Sequence, residues 1–193
     1  MYLKPHALGF SLIEVMVALI VISVGLLGIA KLEALALSST TTASNRSLAA
    51  LQASSLAAAM HVNRGYWSQG DASGATVTAV GTTIAVSSGL APNLTASLAA
   101  GPVCTSTVTP CSVSDLAAYD LTNWVGWLQA VLPNTTTVVA CGTAPPVSCT
   151  IRLTWNESSV ATNTREVTAK VNNGTTGTTA DFENSAYTLY VQP

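Results

Sequence analysis

Gly9-Phe10-Ser11-Leu12-Ile13-Glu14-Val15-Met16-Val17-Ala18-Leu19 opens an apolar run that continues to Ala30 and decides the architecture of the 193-residue chain. From Phe10 to Ala30 the only charge is Glu14. At 1.5 Å per residue those residues form a helix about 30 Å long, the thickness of a bilayer's hydrocarbon core. A secretory signal peptide needs a shorter apolar core followed by a small-residue cleavage site. Here the core runs on into Lys31-Leu32-Glu33-Ala34-Leu35-Ala36-Leu37, which continues a helix. An ordinary membrane anchor fits the length but leaves Glu14 without a reason. A carboxylate at the centre of a membrane helix costs roughly 2.5 to 3.5 kcal/mol, less near an interface, so it calls for a partner.

The same stretch resembles the class III signal of type IV prepilins. That resemblance implies that a membrane-embedded prepilin peptidase cuts between Gly9 and Phe10, removes a leader of residues 1–9 and N-methylates Phe10. Glu14 then becomes the fifth residue of the mature chain, where the family has its glutamate. The electrostatics agree. Cleavage creates a cationic amine at Phe10, and Glu14 lies one turn into the helix, where the dipole favours an anion. In a filament of staggered helices the carboxylate meets the amine of a neighbouring subunit, and once desolvated such a pair is costly to break. The resemblance thus assigns Glu14 to subunit assembly.

Beyond Ala30 the helical pattern persists, with Leu48, Leu51, Leu56, Ala59 and Met60 near helical spacing and Arg46, Gln52, Asn63 and Arg64 outside it. The expected division is a leader at 1–9, a long helix at 10–64 with its transmembrane part at about 10–30, and a head at 65–193. Gly25, Gly28 and the Ser/Thr cluster from Ser38 to Ser44 are weak points of the helix. From Gly70 to Pro110 the chain is rich in Gly, Ser, Thr and Ala, and no charged residue lies between Ala72 and Ser114. Thr76 to Val80 and Thr82 to Val86 alternate as short strands around Gly81. Ser112 and Asp115 fit a capping box, and Leu116, Trp124, Trp127, Leu128 and Val131 then predict one helical face before Pro133 stops the helix. Three later segments alternate as strands: Ile151, Leu153 and Trp155; Val167, Ala169 and Val171, between Glu166, Thr168 and Lys170; and Tyr187, Leu189 and Val191. The expected fold is α+β and type IV pilin-like, a long N-terminal helix, transmembrane in one half and amphipathic in the other, packed on a small antiparallel sheet with an extra helix.

Cys104, Cys111, Cys141 and Cys149 permit three pairings. Cys104–Cys111 and Cys141–Cys149 are favoured because each closes a short proline-containing loop, worth about 2.5 kcal/mol by loop entropy. A zinc site is the weaker alternative, since no C-x-x-C occurs and neither His6 nor His61 supplies a ligand pattern. Disulfides imply an oxidising compartment, and the basic leader puts the head outside the cytoplasm.

Only 8% of residues are charged, with 7 Lys+Arg against 9 Asp+Glu. No broad basic surface exists, so nucleic-acid binding is not expected. No phosphate loop is present, and Asp115, Asp120, Glu157, Glu166, Asp181 and Glu183 read as solvated charges. No enzymatic activity, metal or cofactor is expected.

The run Ile22-Ser23-Val24-Gly25-Leu26-Leu27-Gly28 with Leu32-Glu33-Ala34, the helix from Asp115 through Trp124 and Trp127 to Pro133, and the late strand ending at Trp155 resemble the minor pilin PilV family. The resemblance implies a structural subunit that promotes pilus assembly, and through it adhesion, twitching motility or DNA uptake. Its partners would be the prepilin peptidase, other minor and major pilins, the inner-membrane assembly platform, and membrane lipid before assembly. It would be a single-pass inner-membrane protein with its head in the periplasm, then part of a surface pilus. The alternatives are a minor pseudopilin of a type II secretion system and a tip adhesin or DNA-binding pilin. Mass spectrometry of the mature protein is expected to find N-methylated Phe10 at its start; an intact Met1 in cells with active peptidase contradicts the prepilin resemblance.

Overall fold

The computed structural model describes residues 9–68, 72–87, 92–101, 104, 110–158 and 182–193. The chain falls into two compact units, Met1–Thr41 and Thr42–Pro193. The first contains the start of helix α1 (Leu12–Val62). Residues 9–34 are all exposed, and this part of α1 is long and apolar enough to cross a membrane.

In the second unit α1 continues to Val62, followed by the one-turn α2 (Arg64–Trp67). Five strands, β1 (Thr76–Val80), β2 (Thr83–Val86), β3 (Thr136–Cys141), β4 (Cys149–Ser158) and β5 (Phe182–Val191), form one antiparallel sheet in the order β2-β1-β3-β4-β5. Two helices, α3 (Pro92–Ala100) and α4 (Val113–Val131), lie between β2 and β3 in sequence. The α+β fold expected from the sequence is therefore the fold observed.

One face of the sheet carries Val77, Ala79, Val139, Ile151, Leu153, Trp155 and Val191, all buried in one cluster with Ala49, Ala53, Leu56 and Met60 of α1 and with Leu121, Trp124 and Leu128 of α4. Period-2 alternation in the strands thus meets period-3.6 spacing in the helices. The register pairs Ile151 with Leu189 and Leu153 with Tyr187. At the β1–β2 turn Gly81 has φ +57°. A glycine at the first central position suits the tight turn that pairs Val80 with Thr83.

The buried stripe of α1 differs from the one predicted. Ala49, Ala53, Leu56 and Met60 face the core, whereas Leu51 is exposed. The bonds of Arg46 to Glu157, of the Gln52 carbonyl to Trp124 and of Asn63 to Val113 set the rotation of α1, and that setting turns Leu51 off the stripe. Asn63, expected outside, is buried, and its Nδ2 donates to the Val113 carbonyl at 2.8 Å, which satisfies the amide. On α4 the buried face is Ala117, Ala118, Leu121, Trp124, Val125 and Leu128, while Trp127 and Val131 of the predicted face are exposed.

Helix α3 was not anticipated within the charge-free segment. Its signals are present: it opens on Pro92, spaces Leu94 and Leu98 one turn apart, and ends before Gly101. Gly101 has φ +62° and its N–H bonds to the Ser97 carbonyl at 3.2 Å, a left-handed C-terminal cap. The predicted strand at Val167, Ala169 and Val171 lies outside the described residues.

Cys104 and Cys111 are bonded, with Cα atoms 5.6 Å apart. Cys141 and Cys149 face each other across β3 and β4 and form the second bridge, with Cα atoms 4.0 Å apart. It closes the loop between those strands. Replacing both residues, Cys141→Ala with Cys149→Ala, is expected to cost about 2.5 kcal/mol of stability. Thermal melting of the detergent-solubilised chain measures this, and an unchanged Tm contradicts it.

Candidate functional site

The apolar helix begins at a cap. The Ser11 hydroxyl accepts the Glu14 backbone N–H at 3.3 Å, and the Ser11 carbonyl accepts the same N–H at 3.1 Å. Glu14 therefore sits in the first turn, where unpaired N–H groups and the helix dipole favour an anion. The signal for Ser11 is local, since Ser-x-x-Glu ahead of an apolar run is a capping signature, but it is not among the site residues expected above. Phe10, Glu14, Val15, Ala18 and Leu19 line a common groove on one side of the helix. Gly9 and Phe10, immediately before the cap, are exposed. The residues singled out for cleavage, methylation and assembly thus occupy one accessible helix start.

Inside the head, three polar contacts fix the second half of α1. Arg46 Nη2 lies 3.2 Å from Glu157 Oε2, joining α1 to β4. The indole Nε1 of Trp124 donates to the Gln52 carbonyl at 2.9 Å and reaches Ser55 Oγ at 3.1 Å. Asn63 supplies the third contact, to Val113. Glu157, expected to be solvated, is instead buried. It also accepts from Trp155 Nε1 at 2.9 Å and from Ser185 Oγ at 2.7 Å. Burial works to raise its carboxyl, but the bonds from Ser185, Arg46 and Trp155, with the Arg46 charge, outweigh that and hold it below the usual glutamate value.

Asp115 is likewise engaged. Hydroxyls of Ser112 and Ser97 each donate to its carboxylate at 2.7 Å and hold its pKa below the usual aspartate value. Its own N–H bonds to Ser112 Oγ at 3.1 Å, completing the cap of α4, while Ser97 ties in α3. Burial raises the Asp120 carboxyl. Asp115 thus belongs to helix structure. His61 is exposed in the last turn of α1. Among the described residues no three His, Cys, Asp or Glu side chains gather into a metal site. Glu166 and Asp181 lie outside those residues.

The sign of the Glu157 contribution follows from its lowered pKa. Such a carboxylate contributes stability fully present above its unfolded value, about 4.3, and lost as pH falls through the folded value. Glu157→Gln is expected to cost about 2 kcal/mol at pH 7, the scale of hydrogen bonds to a charged group, with the gap to wild type closing below about pH 4. Melting of the full chain in detergent from pH 7 to 3 tests this; a gap independent of pH contradicts it.

Comparison with known proteins bears on the N-terminus. Residues 4–30 match the family model described as the prokaryotic N-terminal methylation motif. No curated protein and no solved structure matches the chain. The matched segment spans Gly9, Phe10, Ser11 and Glu14 and most of the exposed apolar helix. That motif at the start of α1, ahead of an α+β head of one antiparallel sheet, supports a type IV pilin-like protein.

Proposed function

We propose that the chain is a minor type IV pilin of the PilV kind, a structural subunit that promotes pilus assembly. The observation that carries this reading is the methylation motif at residues 4–30, with Glu14 in the first turn of an exposed apolar helix. In this reading residues 1–9 are a leader removed by prepilin peptidase, and Phe10 carries the new N-methylated amine. Lipid covers the helix before assembly, with the head in the periplasm. Afterwards the helices of other minor and major pilins cover it, at the inner-membrane assembly platform and then in the surface pilus.

Glu14 acts as the assembly charge. In lipid or among helices its carboxylate needs a cation, and a neighbouring subunit's Phe10 amine is the one available beside an otherwise uncharged segment. The amine in turn is held by that carboxylate, so two subunits are joined at one axial position. A pseudopilin of a secretion system would use the same motif in the same way. The PilV reading draws further support from the run of α4 through Trp124 and Trp127 with Pro133 beyond its end, and from Trp155 within β4.

Deletion of the gene, followed by counts of surface pili and of secreted proteins, separates the two. Loss of pili with secretion intact is expected; the reverse favours the pseudopilin. Glu14→Ala is expected to leave membrane insertion intact and to lower recovery of the subunit with its partner pilins by about a hundredfold, the scale of a broken buried ion pair. Normal recovery removes the role given to this carboxylate.

A further inference from the structure

Helix α4 turns a face without charge to solvent: Thr122, Asn123, Gly126, Trp127, Ala130 and Val131 are exposed. Trp127 is 70% exposed. The helix does not need it as an anchor, because Trp124 makes the bonds to Gln52 and Ser55. Those bonds and the Asn63–Val113 bond run α1 and α4 antiparallel, with residue 63 beside 113 and residues 52 and 55 beside 124. From Ser55 the same ridge of α1 leads one turn back to Leu51, which is 64% exposed. From Trp124 the same direction leads along α4 to Trp127. Two large apolar side chains therefore stand exposed at the same end of the helix pair. Beside them a Cβ at Gly126 would meet nothing within 4 Å, and Ala130 follows one turn later. Another backbone has room to approach closely there.

We infer that this α1–α4 face docks the apolar N-terminal helix of a neighbouring pilin-like subunit. The inference rests on the pilin reading and adds to it the surface of the head that meets the partner. The occupant follows from chemistry on the page. Each subunit carries residues 9–34 exposed and mostly apolar, and outside lipid this segment needs apolar cover. Between Glu14 and Lys31 it has no charge, and Cβ atoms built at Gly25 and Gly28 also meet nothing within 4 Å. An indole can lie against the helix at these glycines, where no side chain stands in the way. Neither surface carries an ion at the contact, so closing it strands no charge. An aromatic anchor in a neutral patch is the residue type that dominates interface energies.

The test uses the full chain in cells with the assembly apparatus intact. A photo-crosslinking residue at position 127 is expected to capture a pilin-like subunit through its N-terminal apolar helix, and one at exposed Thr188 is not. Capture of a partner's head, capture of a protein that is not pilin-like, or no capture in assembled fibres overturns the inference. Trp127→Ala, with Tm unchanged, is expected to lower recovery with partner pilins at least about tenfold, within the hot-spot range. Leu51→Gln, on the other helix, is expected to act in the same direction. Normal recovery of both variants overturns the inference. Glu14→Ala run in parallel separates the two ideas. If that variant fails to assemble while the two surface variants assemble normally, the docking face falls and the pilin reading stands. If none of the three changes recovery, the pilin reading falls and takes the docking face with it.

Discussion

A helix of bilayer length with one carboxylate in its first turn is the constraint on which the rest depends. Water is a poor solvent for residues 9–34, which are exposed in the subunit. Lipid is a poor solvent for Glu14, unless a cation is close. The segment is therefore unfinished in isolation. In the function proposed above, an adjacent helix with a positively charged start answers both demands, one by apolar contact and the other by charge. The Ser11 cap matters here because it fixes where the helix begins and so keeps Glu14 in the first turn.

The head meets the opposite requirement and closes upon itself. Its sheet buries one face against α1 and α4. Among the described residues, three charged side chains form joints: Arg46 with Glu157 between helix and strand, and Asp115 between the end of α3 and the start of α4. Serine and threonine hydroxyls take over much of the remaining polar work, as at Ser97, Ser112 and Ser185. A charge fraction of 8% is thus compatible with a folded head, because hydroxyls can cap helices and satisfy carboxylates at close range.

Much of this was legible in the residues. The length of α1, the Ser112 cap, the stop at Pro133, the hairpin at Gly81 and the alternation of β4 and β5 are local signals, and each is found where the pattern put it. What failed depends on partners distant in sequence. Ala49 and Ala53 are buried instead of Leu51 because contacts of α1 with β4 and α4 set its rotation, which hydrophobic ranking does not contain. Trp124 and Trp127 are equivalent by composition and differ because α1 offers a carbonyl to only one of them. Asn63 is buried because Val113, fifty residues later, accepts its amide. Helix α3 was missed for another reason. Its Pro92 and Gly101 limits were readable, but a segment without charges gives weak contrast between faces. The match at residues 4–30 covers the helix start and leaves the head to be argued from its own physics.

The three contacts along α1 also have a mechanical meaning. Arg46, the Gln52–Ser55 pair and Asn63, which follows the last residue of α1, are spread over eighteen residues, about 25 Å at helical rise. A tensile load applied along this helix reaches all three together, in shear, rather than peeling them apart one after another. It then passes through Glu157 into β4, which is hydrogen-bonded on both edges, to β3 and β5, and is bridged to β3 by Cys141–Cys149. The load path thus runs from a helix into the covalently reinforced interior of the sheet.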